Sequence, residues 1–473
     1  MNLKNETNLV IILLGSLFAL LIILVFFSEG FYGGGDSIAH FRISRFAFRY
    51  PHLFFDHWGK PVFTIASSLF SQIGFKGIQL YNIVSGLLTC FVTYKTVKIL
   101  NERNALLVIV FVVFAPVYFI LFFSGLTEIT FSLILIIGVY LILKQKYTLA
   151  ALALSFLPFA RTEGIVILVV FIFFFLIYRK YKSLPFFLTG FLFFSISGRA
   201  YHDDFLWVIN SMPYTGAQAI YGSGNLFHFV NSSPEIFGIP LVIVLIVGII
   251  SLGLKIVLKK ESDNQAWNEF LYIFLPFFAY FAAHSFVWWK GIGGSLGLTR
   301  VMAGILPLVA ILGVKGYNFI EQFLKQTAFR RYLLPLIVIL PVVFMPFNMY
   351  KVPMQLDSQH KLLKEAAQWV KSSPYFNNRI YYYDLFFCSQ LGIDPFDSER
   401  CFEKVPYRNE PGKEIPSGSL VQWDAHYGPN EGGMPVERLL SSDDFTLVKK
   451  FEPETPFQVL GGYDYTVLLF ERK

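Results

Sequence analysis

Residues 33–40 read GGGDSIAH, at the end of a long apolar run, and set an acid and an imidazole close together. Three glycines let the backbone turn sharply there. A helix beginning at Asp36 puts Asp36 and His40 one turn apart on one face. Asp36 followed by Ser37 is also an ordinary way to cap a helix, so a carboxylate for proton transfer and a capping carboxylate both fit the spacing. The same loop continues as YPHLFFDHWGKPVFT, residues 50–64, which sets Asp56, His57, Trp58 and Lys60 among aromatic side chains. Lys60 has the charge to meet a phosphate, and Asp56 and His57 can hold polar groups of a substrate. An interfacial helix that anchors the loop would use the same aromatic residues.

Four further ionisable residues stand at the edges of apolar runs: Glu128, Arg161, Glu163 and Arg300. A charge placed at the centre of a membrane helix costs about 2.5–3.5 kcal/mol on insertion scales, so each needs a reason to be there. One reason is pairing, Arg161 with Glu128 or Glu163; the other is contact with a charged substrate. His202, Asp203 and Asp204 lie in GRAYHDDFLW, where paired acids are expected to cap the start of a helix rather than bind metal. His284 lies in AAHSFVWWKG beside Trp288, Trp289 and Lys290; the paired Trp residues either stack on a sugar or sit in the interfacial belt, and the belt is expected. No phosphate-binding P-loop, HExxH zinc motif or nucleophile elbow occurs.

The elements that must position these residues follow from composition. Of 473 residues, 55% are hydrophobic and 15% charged, against about 25% charged in soluble proteins, so the chain cannot cover a water-facing surface of its size. It is expected to be an all-α polytopic membrane protein. Runs near 8–27, 77–100, 104–123, 126–143, 147–160, 163–178, 183–200, 236–258, 267–287, 299–317 and 332–350 give about eleven candidate spans. The fifth and sixth, interrupted by Pro158, Arg161 and Glu163, are short enough for a broken hairpin.

Charge divides unevenly, with 25 Lys/Arg against 14 Asp/Glu in residues 1–350 and 14 against 18 in residues 351–473. The basic residues sit in short loops, including Lys259, Lys260, Lys325, Arg330 and Arg331. That pattern signals topology and gives no support for nucleic-acid binding. It places the N-terminus in the cytoplasm and, with an odd number of spans, the tail outside. Outer loops 28–76 and 201–235 then share the non-cytoplasmic face with the tail, and chemistry is expected there.

The domain reading is a membrane unit over 1–353 and a small α/β extracytoplasmic domain over 354–473. The tail is expected to carry a helix over 357–372, with Leu362, Leu363, Ala366 and Val370 on one face. Strands are expected near 379–383, 419–423, 445–449 and 465–470. Cys388 and Cys401, thirteen residues apart on the expected oxidising side, either pair as a disulfide or remain thiols.

The first outer loop, with an acid after the first span and HLFFDHWGKP some twenty residues later, resembles the GT-C glycosyltransferases that use polyprenyl-phosphate sugars. These include protein O-mannosyltransferases and lipid A aminoarabinose transferases. The likeness covers residues 8–320 in layout, with sharper matches at SGLTE (124–128), FARTEG (159–164) and LTRVMAGILP (298–307). It departs from the family at Gly35, where an acidic pair is usual. The resemblance implies a transferase that moves a sugar from a polyprenyl-phosphate carrier to an acceptor hydroxyl on a glycan, lipid or protein, on the non-cytoplasmic face of the membrane; a bacterial inner membrane is expected because the chain is compact and has no extended glycosylated loops.

It implies Asp36 as base, and Arg161, Lys60 and Arg300 as donor-phosphate ligands. His40, Asp56, His57, Glu128 and Glu163 would line the substrate pocket, and neither metal nor other cofactor is expected. The rival expectation is a transporter or flippase for a lipid-linked sugar, whose ionisable residues would lie near the bilayer midplane, usually within related halves.

Overall fold

The computed structural model describes residues 3–213, 222–258, 264–324 and 332–473. Part of the second outer loop and Lys259, Lys260, Lys325, Arg330 and Arg331 lie outside the described residues. Contacts separate two compact units, Met1–Ser28 with Ile43–Met354, and Glu29–Arg42 with Gln355–Lys473. The boundary in the first outer loop falls within one helix, Gly34–Phe46.

The first unit is helical. Among the described residues six helices are long and apolar enough to cross a membrane: Glu6–Phe26, Phe75–Ile99, Tyr181–His202, Ile239–Val257, Gln265–Lys290 and Thr299–Phe323. Five shorter apolar helices accompany them, at Pro61–Ser71, Glu128–Leu143, Tyr147–Ala160, Gly164–Ile177 and Leu334–Met349. The protein is thus a multi-pass membrane protein.

Burial ranks the helices. Of the most apolar window of Thr299–Phe323, 89% is buried, so it is central. In Glu6–Phe26 the share is 22%, and Ile11, Ile12, Ile23 and Phe26 stand exposed, as a lipid-facing helix requires. The central helix meets Ile239–Val257 through glycine: a Cβ on Gly248 would strike the carbonyl of Leu312, and one on Gly316 the carbonyl of Val244. Small residues at such crossings let backbones approach where lipid supplies no hydrophobic drive.

The expected span at 104–123 is not one helix. It is Leu107–Val113 followed by Pro116–Leu121, because Pro116 has no amide hydrogen to continue the ladder. Nearly every side chain of both pieces is buried, so this apolar run fills the interior of the unit and does not face lipid.

In the second unit, helix Ser358–Lys371 begins at Asp357, whose Oδ1 accepts the His360 amide at 2.8 Å. It buries Leu362, Leu363, Ala366 and Val370. The sheet comprises β1 (Ile380–Tyr382), β2 (Cys401–Glu403), β3 (Leu420–Asp424), β4 (Phe445–Phe451) and β5 (Val467–Arg472), in the order β2-β1-β3-β5-β4. β1 runs parallel to β2 and β3, and β5 antiparallel to β3 and β4.

The sequence reading anticipated four of the five strands; β2, three residues long, is too short to show a pattern. Residues 29–42, read as outer loop, hold to this unit. The Phe31 ring lies 4.9 Å from that of His360 and 5.6 Å from that of Phe386.

Candidate active site

Local backbone breaks build the charged cluster of the first unit. Tyr147–Leu154 gives way to Leu157–Ala160, with Pro158 in its first turn, and the chain leaves helical geometry at Arg161 (φ −156°, ψ 135°) before Gly164–Ile177 begins. Arg161, Thr162 and Glu163 therefore occupy a hinge between two apolar helices, where side chains can turn inward. Glu128 sits in the first turn of Glu128–Leu143, where the helix dipole favours a carboxylate. Arg300 comes from the 3₁₀ turn Thr299–Ile305. Lys60 precedes Pro61 at the start of Pro61–Ser71 and takes a left-handed backbone (φ 62°). The turn before it is held by the Gly59 amide, which donates to Asp56 Oδ1 at 2.6 Å.

These elements converge. Arg161 reaches Glu128 Oε1 from Nη1 (2.8 Å) and Glu163 Oε1 from Nε (2.7 Å), and donates to Thr127 Oγ1 at 3.1 Å. Arg300 Nε lies 3.4 Å from Glu128 Oε1. Tyr280 donates to Glu163 Oε1 at 3.4 Å, and His284 Nε2 stands 3.8 Å from the same oxygen. Lys60 Nζ donates to Thr162 Oγ1 at 2.9 Å and to the His57 carbonyl at 3.1 Å. Burial lowers the Lys60 ammonium to about 8, with Arg161 pushing the same way and Glu163 opposing. Lys60, Arg161 and Arg300 thus gather around Glu128 and Glu163, with Asp56 also acting on Lys60. Such a site can take an anion, with Arg offering two donors to one phosphate and Lys a point charge.

Pairing and substrate contact were alternatives for Arg161 in the sequence; the structure realises the pairing with both glutamates at once. Asp56 and His57 each have a partner outside the charged cluster, the nearby Gly59 amide for the first and the sequence-remote Val208 carbonyl, 3.0 Å from Nε2, for the second. Asp203 does not open a helix as expected, whereas Asp204 stands just ahead of the short helix Trp207–Asn210 and its carbonyl accepts the Trp207 amide. Thr189–His202 ends at Asp203, which takes φ 52°, and Asp204 Oδ1 accepts the Leu206 amide at 2.8 Å. The His202 ring stacks on Trp207, with centroids 4.3 Å apart.

Asp36 and His40 belong to the second unit. The helix starts at Gly34, two residues before the expected position, so Asp36 lies in its first turn, partly exposed, and His40 follows one turn later, buried. Gly35 has a steric reason: the Tyr427 hydroxyl fills the space that a Cβ there would need. The acidic pair usual in the resembled family cannot form at 35 and 36 unless Tyr427 moves. The Tyr427 ring stacks on His426 (4.5 Å, interplanar 5°). Burial first, then the carboxylates of Asp384 and Asp36, keep its hydroxyl protonated.

Residues the sequence reading did not single out are Thr127, Thr162, Tyr280 and Tyr427; His284 was noted, but as a belt residue. Thr127 and Thr162 adjoin the flagged glutamates in SGLTE and FARTEG, which is the one signal that pointed to them. Among the described residues no group of three or more His, Cys, Asp or Glu is placed to hold a metal ion.

No protein-family profile and no curated protein matches the sequence. Solved structures do match. ArnT from Cupriavidus metallidurans bound to undecaprenyl phosphate superposes with TM-score 0.63 at 11% identity, over 99% of this chain and 98% of that one. The apo form gives TM-score 0.63 at 11% identity, over 97% of each. An oligosaccharyltransferase from Archaeoglobus fulgidus, tethered to an acceptor peptide containing the NVT sequon, gives TM-score 0.54 at 10% identity, over 87% of this chain and 69% of that one. The chain therefore has the fold of these GT-C glycosyltransferases.

Proposed function

We propose that the protein is a membrane glycosyltransferase that moves one sugar from a polyprenyl-phosphate carrier to an acceptor hydroxyl on a glycan, lipid or protein. The observation that carries this reading is the buried cluster that brings Lys60, Arg161 and Arg300 together beside Glu128 and Glu163. Three cationic side chains gathered in one place suit a phosphate monoanion at the end of a lipid. One neighbour of the same fold binds undecaprenyl phosphate, which agrees with that ligand.

In the proposed reaction Asp36 accepts the proton of the acceptor hydroxyl as its oxygen attacks the anomeric carbon. The bond from that carbon to the phosphate oxygen breaks in the same displacement, so the configuration inverts. Arg161, Lys60 and Arg300 steady the charge that gathers on the departing phosphate. Glu128 and Glu163 fix the arginines, Asp56 and His57 shape the turn that presents Lys60, and His40 contributes to the sugar pocket. The proposed span count is about eleven, as read from the apolar runs of the sequence. The protein would lie in a bacterial inner membrane with its N-terminus cytoplasmic and its C-terminal domain outside.

The test separates binding from turnover. Asp36→Asn should bind undecaprenyl phosphate as the wild type does, by native mass spectrometry, and lose transfer by at least a hundredfold. Arg161→Gln combined with Lys60→Met should lose the lipid itself. Transfer retained by Asp36→Asn refutes the base, and lipid retained by the double variant refutes the phosphate site.

A further inference from the structure

The C-terminal unit contains a pair of thiols for which the transfer reaction has no use. Cys388 lies in helix Leu385–Leu391 and Cys401 opens β2, opposite Ile380 of β1. Both are buried, and their Sγ atoms touch at 3.3 Å. No metal-holding group exists among the described residues to claim them as ligands. Packing alone does not require two cysteines in contact; any pair of small apolar side chains would serve.

What surrounds the pair gives it a consequence. β2 is an edge strand of three residues, held by β1 on one side only. It ends at Glu403, whose Oε2 accepts from Arg42 Nη2 at 2.6 Å. Arg42 Nη1 donates to the Tyr382 hydroxyl at 3.1 Å, and its Cζ lies 5.8 Å from the Phe396 ring centroid. Arg42 is the last residue of the 29–42 segment that holds to this unit. A three-residue edge strand frays easily, and with it would go the carboxylate that grips Arg42.

We propose that Cys388 and Cys401 are joined as a disulfide, and that this crosslink pins β2 so that Glu403 keeps its hold on Arg42. The oxidant is a protein disulfide acting by thiol–disulfide exchange. One thiolate attacks a sulfur of that disulfide and forms a mixed disulfide; the second thiolate then attacks the first cysteine's sulfur and expels the donor as its dithiol. Two electrons pass to the donor, and the two protons lost by the thiols balance the two it gains. The crosslink closes a short ring through residues 388–401 and stands whether or not Asp36 is a base.

Two measurements test it on the full-length protein extracted from membranes. With N-ethylmaleimide present throughout extraction and denaturation, peptide mapping without reductant should find Cys388 linked to Cys401, two hydrogens lighter than the thiol pair, and Cys90 alkylated. Maleimide on both Cys388 and Cys401 overturns the proposal. Tryptic cleavage after Arg42 is then timed in wild-type protein before and after reduction, the reduced state being verified by the same mapping. Cleavage at least several-fold faster after reduction is expected, and equal rates overturn the link between the crosslink and the Arg42 grip. Because both arms use the unaltered chain, a misfolded variant cannot account for either result.

Discussion

Lys60 is the side chain on which protonation most directly bears on ligand binding. Its ammonium, lowered by burial to about 8, is charged at neutral pH and discharges within an accessible range. Affinity for a lipid phosphate should therefore be full below pH 7 and fall as pH rises through about 8, whereas Lys60→Arg should keep its affinity to pH 10. Lipid binding measured from pH 6.5 to 9.5 checks this; a flat wild-type profile would count against Lys60 as a phosphate ligand. On stability the same shift acts with opposite sign. Between about 8 and the ordinary lysine value near 10.5 the unfolded chain holds more proton, so raising pH through that window favours the fold.

At this scale the sequence was informative about charge and silent about hydroxyls. Glu128, Arg161, Glu163 and Arg300 stood out because ions are expensive beside apolar runs. Thr127, Thr162 and Tyr280 look like ordinary interior residues until distances place them on Arg161, Lys60 and Glu163.

At the scale of elements, two short pieces of structure decide how the second unit is built. Asp384 and Asp424 follow or end the parallel neighbours β1 and β3, both buried. Burial and the proximity of Asp384 raise Asp424 to about 7, and burial raises Asp384 as well. His360 is raised by Asp357 and shifts with them, while burial lowers His426. A carboxyl whose folded value exceeds its unfolded one stabilises below the unfolded value and loses that contribution as pH rises through the folded one. Hydrogen exchange in β1 and β3, corrected for intrinsic rate, should thus be faster at pH 8 than at pH 6. Equal protection would show that the pair does not govern the unit.

The second piece is the start of Gly34–Phe46. Gly35→Ala should destabilise the unit, and Tyr427→Phe should restore part of the loss by removing the oxygen that the new methyl meets; thermal melting of the single and double variants measures this. Additive losses would refute the steric account. This contact was not legible in the sequence, because Tyr427 is remote from Gly35 along the chain. Pro116, by contrast, stands in plain view within the 104–123 run, where a proline can split a helix.

For the whole molecule, an apolar pattern and a few charged hinges sufficed to anticipate a polytopic GT-C-like fold, and the superposition at 11% identity shows how little particular sequence that fold demands. Hydrophobic periodicity sets helix positions, and many residues satisfy it equally. The assignment of residues 29–42 to the C-terminal unit was not legible, since it depends on contacts such as Arg42 with Glu403 that span the chain. The most direct test of the account is transfer itself. Purified protein is incubated with radiolabelled polyprenyl-phosphate sugars and a mixed pool of glycan, lipid and peptide acceptors, and the label is followed by chromatography. The account predicts label on an acceptor with wild-type protein and none with Asp36→Asn. Label that stays on the carrier with every acceptor, while the wild-type protein moves the intact carrier across a vesicle membrane, would contradict it in favour of a transporter.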